Sequence, residues 1–139
     1  MQELTHYLNG AHVKGTSGRF ADVYNPATGE VQAKVPLAGE AELDQAVKYA
    51  MAAQPAWAAV NPQRRARVMM KFVDLLNRDM DKLAEALSRE HGKTLPDAAG
   101  DVQRGLEVVE YCIGAPELLK GDFTDSAGPG IDMYSMRQP

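Results

Sequence analysis

Cys112 is the only thiol in this chain of 139 residues, and it is therefore the only candidate for thiolate catalysis. The apolar spacing around it places it inside a predicted helix, whereas a thiolate is favoured at a helix N-terminus. The histidines, His6, His12 and His91, lie far from it along the chain, and their spacing does not match that of metal ligands. We therefore interpret Cys112 as a small buried apolar residue, and we assign no catalytic or metal-binding residue.

Arg104 is a candidate for binding an anion. A guanidinium can hold a carboxylate through two parallel hydrogen bonds, and the neighbouring Gly105 would let another group approach closely. The same side chain could instead form a surface salt bridge with Asp101 or Glu107. By residue chemistry alone, the salt bridge is the more common outcome.

Arg64, Arg65 and Arg67 crowd the first turns of a predicted helix, where positive charge opposes the helix macrodipole. Each such charge costs roughly a few tenths of a kcal/mol. Carboxylates elsewhere in the fold, another subunit or an anionic ligand could compensate for them. Solvation at the surface with local ion pairs is the ordinary explanation for such a cluster.

The composition argues against several classes of function. The 15 Lys and Arg are outnumbered by 19 Asp and Glu, for a net charge of −4, whereas a general nucleic-acid binder carries a basic excess. No phosphate-binding Gly-rich motif is present. We expect no membrane partner, because no apolar run approaches the ~20 residues that span a bilayer and the N-terminus does not resemble a secretory signal. With one cysteine we expect no intrachain disulfide and a reducing, cytoplasmic location.

The first forty residues predict short strands and turns. Asn9-Gly10 is a strong tight-turn signal between two hairpin arms, Tyr7–Leu8 and His12–Val13. A further strand is predicted over Phe20–Tyr24. After a turn that contains Pro and Gly, apolar residues alternate from Val31 to Leu37, as in a half-buried strand.

Helical spacing begins at Glu40. It predicts a helix from Glu40 to about Ala53 whose apolar stripe faces a core. The members of this stripe are Leu43, Val47, Ala50 and Met51.

Two more helices are predicted. The first of them is either one continuous helix or a helix with a break. Asn61-Pro62 opens it, because Asn caps a helix and Pro sits where no amide hydrogen bond is needed. It runs to His91, and Gly92 ends it in a left-handed conformation. Thr94 caps the last helix, with Asp97 in place of the usual Glu. Its apolar face comprises Val102, Leu106, Val109 and Ile113.

The C-terminal part predicts a connection followed by a single strand. Residues 122–130 are polar and Gly-rich, and residues 131–138 have the character of a strand. We expect this strand to have no neighbour in sequence with which to pair, and isolated strands are unstable. The pattern therefore predicts that further chain or a partner subunit completes the structure.

Several segments together resemble the opening of the aldehyde dehydrogenase superfamily. They occur in the family's order over essentially the whole chain, which makes the resemblance more specific than any single motif. The segments are Asn25-Pro26-Ala27-Thr28-Gly29-Glu30-Val31 followed by Val35-Pro36, Trp57 ahead of a helix, Arg65-Ala66-Arg67, Glu90-His91-Gly92-Lys93-Thr94, and Tyr134-Ser135-Met136-Arg137-Gln138-Pro139.

Other features resemble the CoA-acylating branch of that superfamily, the methylmalonate-semialdehyde dehydrogenases. His91 stands where most members of the superfamily have Thr. The stretches similar to this branch are residues 90–95, 102–110, 118–121 and 130–135.

The resemblance implies an α/β fold of short strands and then three helices. Residues 1–121 would be the incomplete N-terminal portion of a doubly wound NAD-binding domain, and residues 122–139 a connection and the first strand of an oligomerisation arm. The complete enzyme would be a homo-oligomer, by resemblance a tetramer. It would use NAD, with CoA as cosubstrate, to convert methylmalonate or malonate semialdehyde to propionyl-CoA or acetyl-CoA with loss of CO2, as in valine catabolism.

By the same resemblance, the nucleophilic cysteine, the general base, the oxyanion-hole residue and the main NAD contacts lie beyond Pro139. Cys112 is then not the nucleophile, and the 139 residues alone are expected to be inactive. Arg104 matches a family arginine suited to the carboxylate of the substrate, and it is the one substrate-binding residue that we assign. The alternatives are a hydrolytic aldehyde dehydrogenase of another branch and a non-catalytic helical module that binds a partner.

Overall fold

A computed structural model describes residues 2–138. It is a mixed α/β structure with short strands towards both ends and helices between them. The strands are β1 (Gln2–Glu3), β2 (His6–Leu8), β3 (Ala11–Val13), β4 (Phe20–Tyr24), β5 (Val31–Pro36), β6 (Phe123–Gly128) and β7 (Ile131–Tyr134). The helices are α1 (Glu40–Ala58), α2 (Pro62–Arg78), α3 (Met80–His91), α4 (Leu95–Ile113) and α5 (Ala115–Leu118).

The N-terminal strands form a hairpin and a small mixed sheet. Strand β5 is the central strand of the sheet and pairs with β1 in parallel and with β4 antiparallel. Strands β2 and β3 form the predicted hairpin, in which Asn9 and Gly10 have φ angles of 50° and 79°. Positive φ at both turn residues matches the right-handed twist of the flanking strands. The predicted hairpin and the two predicted strands that follow it are therefore confirmed.

The helix starts follow their capping residues. Asn61 Oδ1 accepts a hydrogen bond from the backbone N–H of Gln63 at 2.8 Å, and Thr94 Oγ1 accepts one from Asp97 N–H at 3.4 Å. Glu42 closes the start of α1, since its carboxylate accepts the Gly39 N–H at 2.7 Å. That bond, with a second one from the Thr16 N–H, lowers the pKa of Glu42.

Helix α1 differs from its prediction in length and in burial. It continues to Ala58, beyond the predicted end near Ala53, so Trp57 lies in its last turn, ahead of α2. No residue of α1 is buried, and the predicted core-facing side chains of Leu43, Val47 and Met51 are 62%, 48% and 69% exposed. The expectation that this stripe meets a core is therefore wrong for the described chain, because helical spacing defines a face but not what covers it.

Helices α2, α3 and α4 form the packed part of the helical block. Helix α4 packs against both α2 and α3. The contacts are close because small side chains are buried there: Ala66 of α2, Ala84 of α3 and Ala98 of α4, with Leu106 as the large buried member. Other apolar faces are exposed, including that of Phe72, which is 44% exposed. Extended apolar surface of this kind is typical of surfaces that contact further protein.

The prediction that the C-terminal strand has no neighbour in sequence is wrong. Strand β6 occupies the segment predicted as a connection, and it pairs antiparallel with β7. Pro129-Gly130 turns the chain between them, with Gly130 at a φ of 70°. Strand β7 ends at Tyr134, earlier than the predicted strand.

An irregularity in β6 explains why the sequence did not indicate a strand. The register shifts between Thr124 and Gly128, and Ser126 has a φ of 52°. The N–H of Ser126 donates to Asp132 Oδ1 at 2.9 Å. Bulges and turns favour Gly and short polar side chains, so these residues give a strand the composition of a loop.

Asp79 joins α2 to α3 and carries a local ion cluster that the sequence analysis missed. Its Oδ2 accepts from Arg78 Nη2 at 2.5 Å and from Arg78 Nε at 3.2 Å, and its Oδ1 accepts from Lys82 Nζ at 3.0 Å. The hydrogen bond from Arg78 and then that from Lys82 lower the pKa of Asp79 from 3.8 to about 2.

We expect the substitution Asp79→Asn to destabilise the protein slightly at neutral pH and not at all in strong acid. Because the pKa of Asp79 is lowered by folding, its contribution is present above the unfolded-state value of 3.8 and is lost as the pH falls through about 2. Urea midpoints of the two proteins should therefore differ at about pH 6 and begin to converge below about pH 4. A difference that stays constant down to about pH 3 would contradict this assignment.

Candidate functional site

The candidate site is built at the junction of α3 and α4. Gly92 ends α3 with a φ of 84°, and its N–H donates to the Ser88 carbonyl at 2.8 Å. Ser88 Oγ then donates to the carbonyl of Lys93 at 2.7 Å. Helix α4 begins directly after its cap, Thr94. These bonds fix the backbone of Lys93 between the two helices.

The turn between β4 and β5 packs against this junction. Asn25 Oδ1 accepts from Ala27 N–H and the Asn25 carbonyl accepts from Gly29 N–H, at 2.9 Å and 2.8 Å. A Cβ added to Gly92 would lie 2.9 Å from Pro26 Cγ, which is closer than a Cβ can approach. Only glycine suits both this approach and the left-handed backbone. Residues 25–31 and residues 90–94, two of the segments on which the family resemblance rests, are therefore in contact.

Three charged side chains meet at the start of α4. Lys93 Nζ and Arg104 Nη1 donate to different oxygens of Asp101, Oδ2 and Oδ1. The side chains of Lys93, Asp101 and Arg104 are 21%, 35% and 75% exposed, so the cluster runs from a shielded ammonium to a solvent-facing guanidinium. The hydrogen bond from Lys93 lowers the pKa of Asp101, although burial opposes this effect.

Arg104 was predicted to form an ion pair with either Asp101 or Glu107, and the structure shows which of the two it contacts. Asp101 is the partner, whereas Glu107 accepts a hydrogen bond from Gln103 Nε2 at 3.3 Å. Lys93 was not predicted as a member of this site. Its position just before a helix cap was the available signal, because the chain reverses there and brings the residue towards the next helix.

One edge of the Arg104 guanidinium is available to a ligand. Within residues 2–138, only its Nη1 makes a hydrogen bond, so Nε and Nη2 are not engaged. These two donors form one of the edges that hold a carboxylate with two parallel bonds. Beside the cluster, Asp101 and Gly105 border an apolar groove of about 480 Å³. The other residues that line it are Phe72, Leu76, Leu83, Leu87, Val102, Leu106 and Val109.

Cys112 lies apart from this cluster. It is half-buried at a cavity of about 130 Å³ that Trp57, Arg65 and Met69 also line. No histidine is among the described residues that line this cavity. Within residues 2–138, no group of three or more His, Cys, Asp or Glu side chains is arranged to hold a metal ion.

The arginine cluster of α2 has a partly buried member. Arg65 is half-buried, and its Nε has no hydrogen-bond acceptor among the described residues. None of Arg64, Arg65 and Arg67 forms an ion pair within residues 2–138. Arg65 and Arg137 line a common cavity of about 420 Å³. Arg64 and Arg67 are exposed, in keeping with solvation at the surface, so Arg65 is the member of the cluster for which compensation by a carboxylate, a subunit or an anion stays an open alternative.

Residues 12–139 match the model of the aldehyde dehydrogenase family. The chain belongs to this family. The malonate-semialdehyde dehydrogenase of Pseudomonas aeruginosa is 48% identical over 139 residues, which are 100% of this chain and 28% of that protein. The mitochondrial methylmalonate-semialdehyde dehydrogenase (acylating) of Arabidopsis thaliana is 45% identical over 136 residues, 98% of this chain and 22% of that protein.

A similar crystal structure supports this aldehyde dehydrogenase assignment. It is a protein from Sinorhizobium meliloti, provisionally described as a methylmalonate-semialdehyde dehydrogenase, in complex with NAD. It has 65% sequence identity and a TM-score of 0.95, and the match covers 100% of this chain and 28% of that one. The predicted family and α/β class are confirmed. The chain spans less than a third of the length of these relatives.

Within residues 2–138, no helix combines the length and the apolarity that crossing a bilayer requires.

Proposed function

We propose that the whole protein to which these residues belong is an NAD-dependent dehydrogenase of malonate or methylmalonate semialdehyde. The observation that carries the proposal is the match with the Sinorhizobium meliloti protein, at 65% identity over the whole chain. The Pseudomonas and Arabidopsis relatives, whose names state malonate and methylmalonate semialdehyde, support the same substrate class. The family match favours this enzyme over a non-catalytic helical module.

The proposed acyl acceptor is CoA, in keeping with the word acylating in the name of the Arabidopsis relative. A thiolate supplied outside these residues adds to the aldehyde, and NAD, when bound, accepts the hydride. The CoA thiol then takes the acyl group, and the enzyme thiol is released. Together with decarboxylation, this yields propionyl-CoA or acetyl-CoA and CO2, as a step in valine catabolism.

Arg104 is the proposed contact to the substrate carboxylate within this chain. Both semialdehydes carry a carboxylate in addition to the aldehyde. The solvent-facing guanidinium of Arg104, with Nε and Nη2 unengaged within residues 2–138, suits that group. Asp101 accepts from the third nitrogen, Nη1.

The C-terminal hairpin of β6 and β7 is the proposed oligomerisation arm. Its strands are exposed almost throughout, and a sheet edge can pair with another chain. We propose that residues 1–121 belong to the cofactor domain and residues 122–139 to this arm, in a homo-oligomer that is a tetramer. The proposed location is the cytoplasm, in keeping with the single cysteine.

The whole protein should form NADH and an acyl-CoA together when it is given malonate semialdehyde, NAD and CoA. The measurement follows NADH by absorbance and acetyl-CoA and CO2 by chromatography and trapping. Residues 1–139 alone are the negative control and should form no NADH. NADH formation with a free acid as the product would favour the hydrolytic alternative, and no oxidation of any semialdehyde would refute the proposed substrate class.

A further inference from the structure

We propose that Asp101 is a positioning residue that orients Arg104 towards a substrate carboxylate and is itself anchored by Lys93. This inference rests on the proposed function, because it concerns the geometry of the same binding site. Asp101 would act through Arg104 and would not contact the substrate.

The anchor of the cluster is Lys93. Its side chain is the most shielded of the three, and its carbonyl is held by Ser88 Oγ at 2.7 Å. Asp101 accepts from Lys93 with one oxygen and from Arg104 with the other. The carboxylate is therefore held from one side and can orient the guanidinium on its other side.

Arg104 needs such support because it is long and exposed. An arginine side chain loses rotamer entropy when a ligand fixes it. A hydrogen bond to Asp101 restricts the guanidinium before the ligand arrives, which reduces the cost of binding. Since the bond uses Nη1, it leaves the edge formed by Nε and Nη2 for the carboxylate of the substrate.

The negative charge of Asp101 and its proposed positioning role predict opposite effects on substrate binding, so the proposal can be tested. An ionised Asp101 beside Arg104 repels an incoming carboxylate, so neutralising it should favour the anionic substrate if only long-range electrostatics acted. If positioning dominates, the same change should weaken binding. The direction of the effect therefore separates the two mechanisms.

The test uses the variant Asp101→Asn in the whole enzyme. We expect the KM for malonate semialdehyde to rise about tenfold, as for the loss of one charge-assisted hydrogen bond. The KM for propanal, which has the same carbon chain without the carboxylate, and the KM for NAD should stay within about twofold. Asp101→Glu, which retains a carboxylate, should recover part of the loss.

Glu107→Gln is the matched control for charge. It removes the same charge from the same helix, but Glu107 accepts from Gln103 and not from Arg104. Its KM values should stay within about twofold of those of the parent enzyme. A rise in the KM for malonate semialdehyde as large as that of Asp101→Asn would show that the effect is not specific to the bond between Asp101 and Arg104, and it would overturn the positioning role.

The outcomes distinguish this inference from the proposed function on which it rests. An unchanged or lower KM for malonate semialdehyde in Asp101→Asn, while Arg104→Gln raises it, overturns the positioning role alone. No effect of either variant also overturns the substrate-binding role of Arg104. Equal increases for propanal and malonate semialdehyde, with a lower urea midpoint, would indicate a merely structural role and would likewise overturn the inference.

Discussion

Replacing Arg104 with Gln should raise the KM for malonate semialdehyde by about 30- to 100-fold and leave the KM for NAD within about twofold. A bidentate, charge-assisted pair with the carboxylate is worth about 2 to 3 kcal/mol, and 1.4 kcal/mol corresponds to a factor of about ten. The effect should be specific, because Arg104 is exposed and makes its ion pair only with Asp101 among residues 2–138. Initial rates of NADH formation at varied semialdehyde and varied NAD measure both constants.

Two further variants sharpen the Arg104 test. Arg104→Lys keeps the charge but loses the planar fork, so its KM should fall between those of the parent and of Arg104→Gln. Arg67→Gln is the control for loss of a positive charge, since Arg67 is exposed and forms no ion pair within residues 2–138. Semialdehyde kinetics that are the same in Arg104→Gln as in Arg67→Gln would remove the assignment.

We expect Gly121→Ala to destabilise the base of the C-terminal hairpin by about 3 to 5 kcal/mol. The added Cβ would overlap the backbone carbonyl group of Ser135, lying 2.8 Å from its carbon. Relieving the overlap requires Asp122 and Ser135 to separate. They are joined by Ser135 N–H to the Asp122 carbonyl at 2.9 Å and by Asp122 N–H to Ser135 Oγ at 2.8 Å. Both bonds would be weakened, in addition to the cost of the strain.

Gly100→Ala is the matched control for Gly121→Ala. Gly100 lies inside α4, and apart from its chain neighbours and the nearby backbone of its own helix an added Cβ meets no atom of the described chain within 4 Å. Ala is favoured over Gly in a helix by about 1 kcal/mol, so this variant should be neutral or more stable. Urea unfolding measures the effect on stability, and sedimentation reports whether the oligomer proposed to form through the hairpin is lost. Equal midpoints for the two variants would contradict the close approach of Gly121 and Ser135.

Features that depend on neighbouring residues could be predicted from the amino-acid sequence. Asn9-Gly10 predicted a hairpin, Asn61 and Thr94 predicted two helix starts, and Gly92 predicted a helix end. Each of these is set by a backbone conformation or a hydrogen bond within a few residues, which the residue type decides. The family could also be recognised, because its segments follow one another in order along the chain.

Which surfaces and which charged groups meet could not be predicted from the sequence and became visible in the folded structure. The apolar spacing of α1 was correct as a helix pattern, but the exposure of Leu43 and Met51 depends on the packing of distant elements. The hairpin of β6 and β7 was missed because its bulge and turn residues have the composition of a loop. The joining of Lys93 and Arg104 through Asp101 depends on how the chain reverses between α3 and α4 and on the side-chain conformations there. Periodicity and propensity describe one element at a time, whereas such contacts arise between elements.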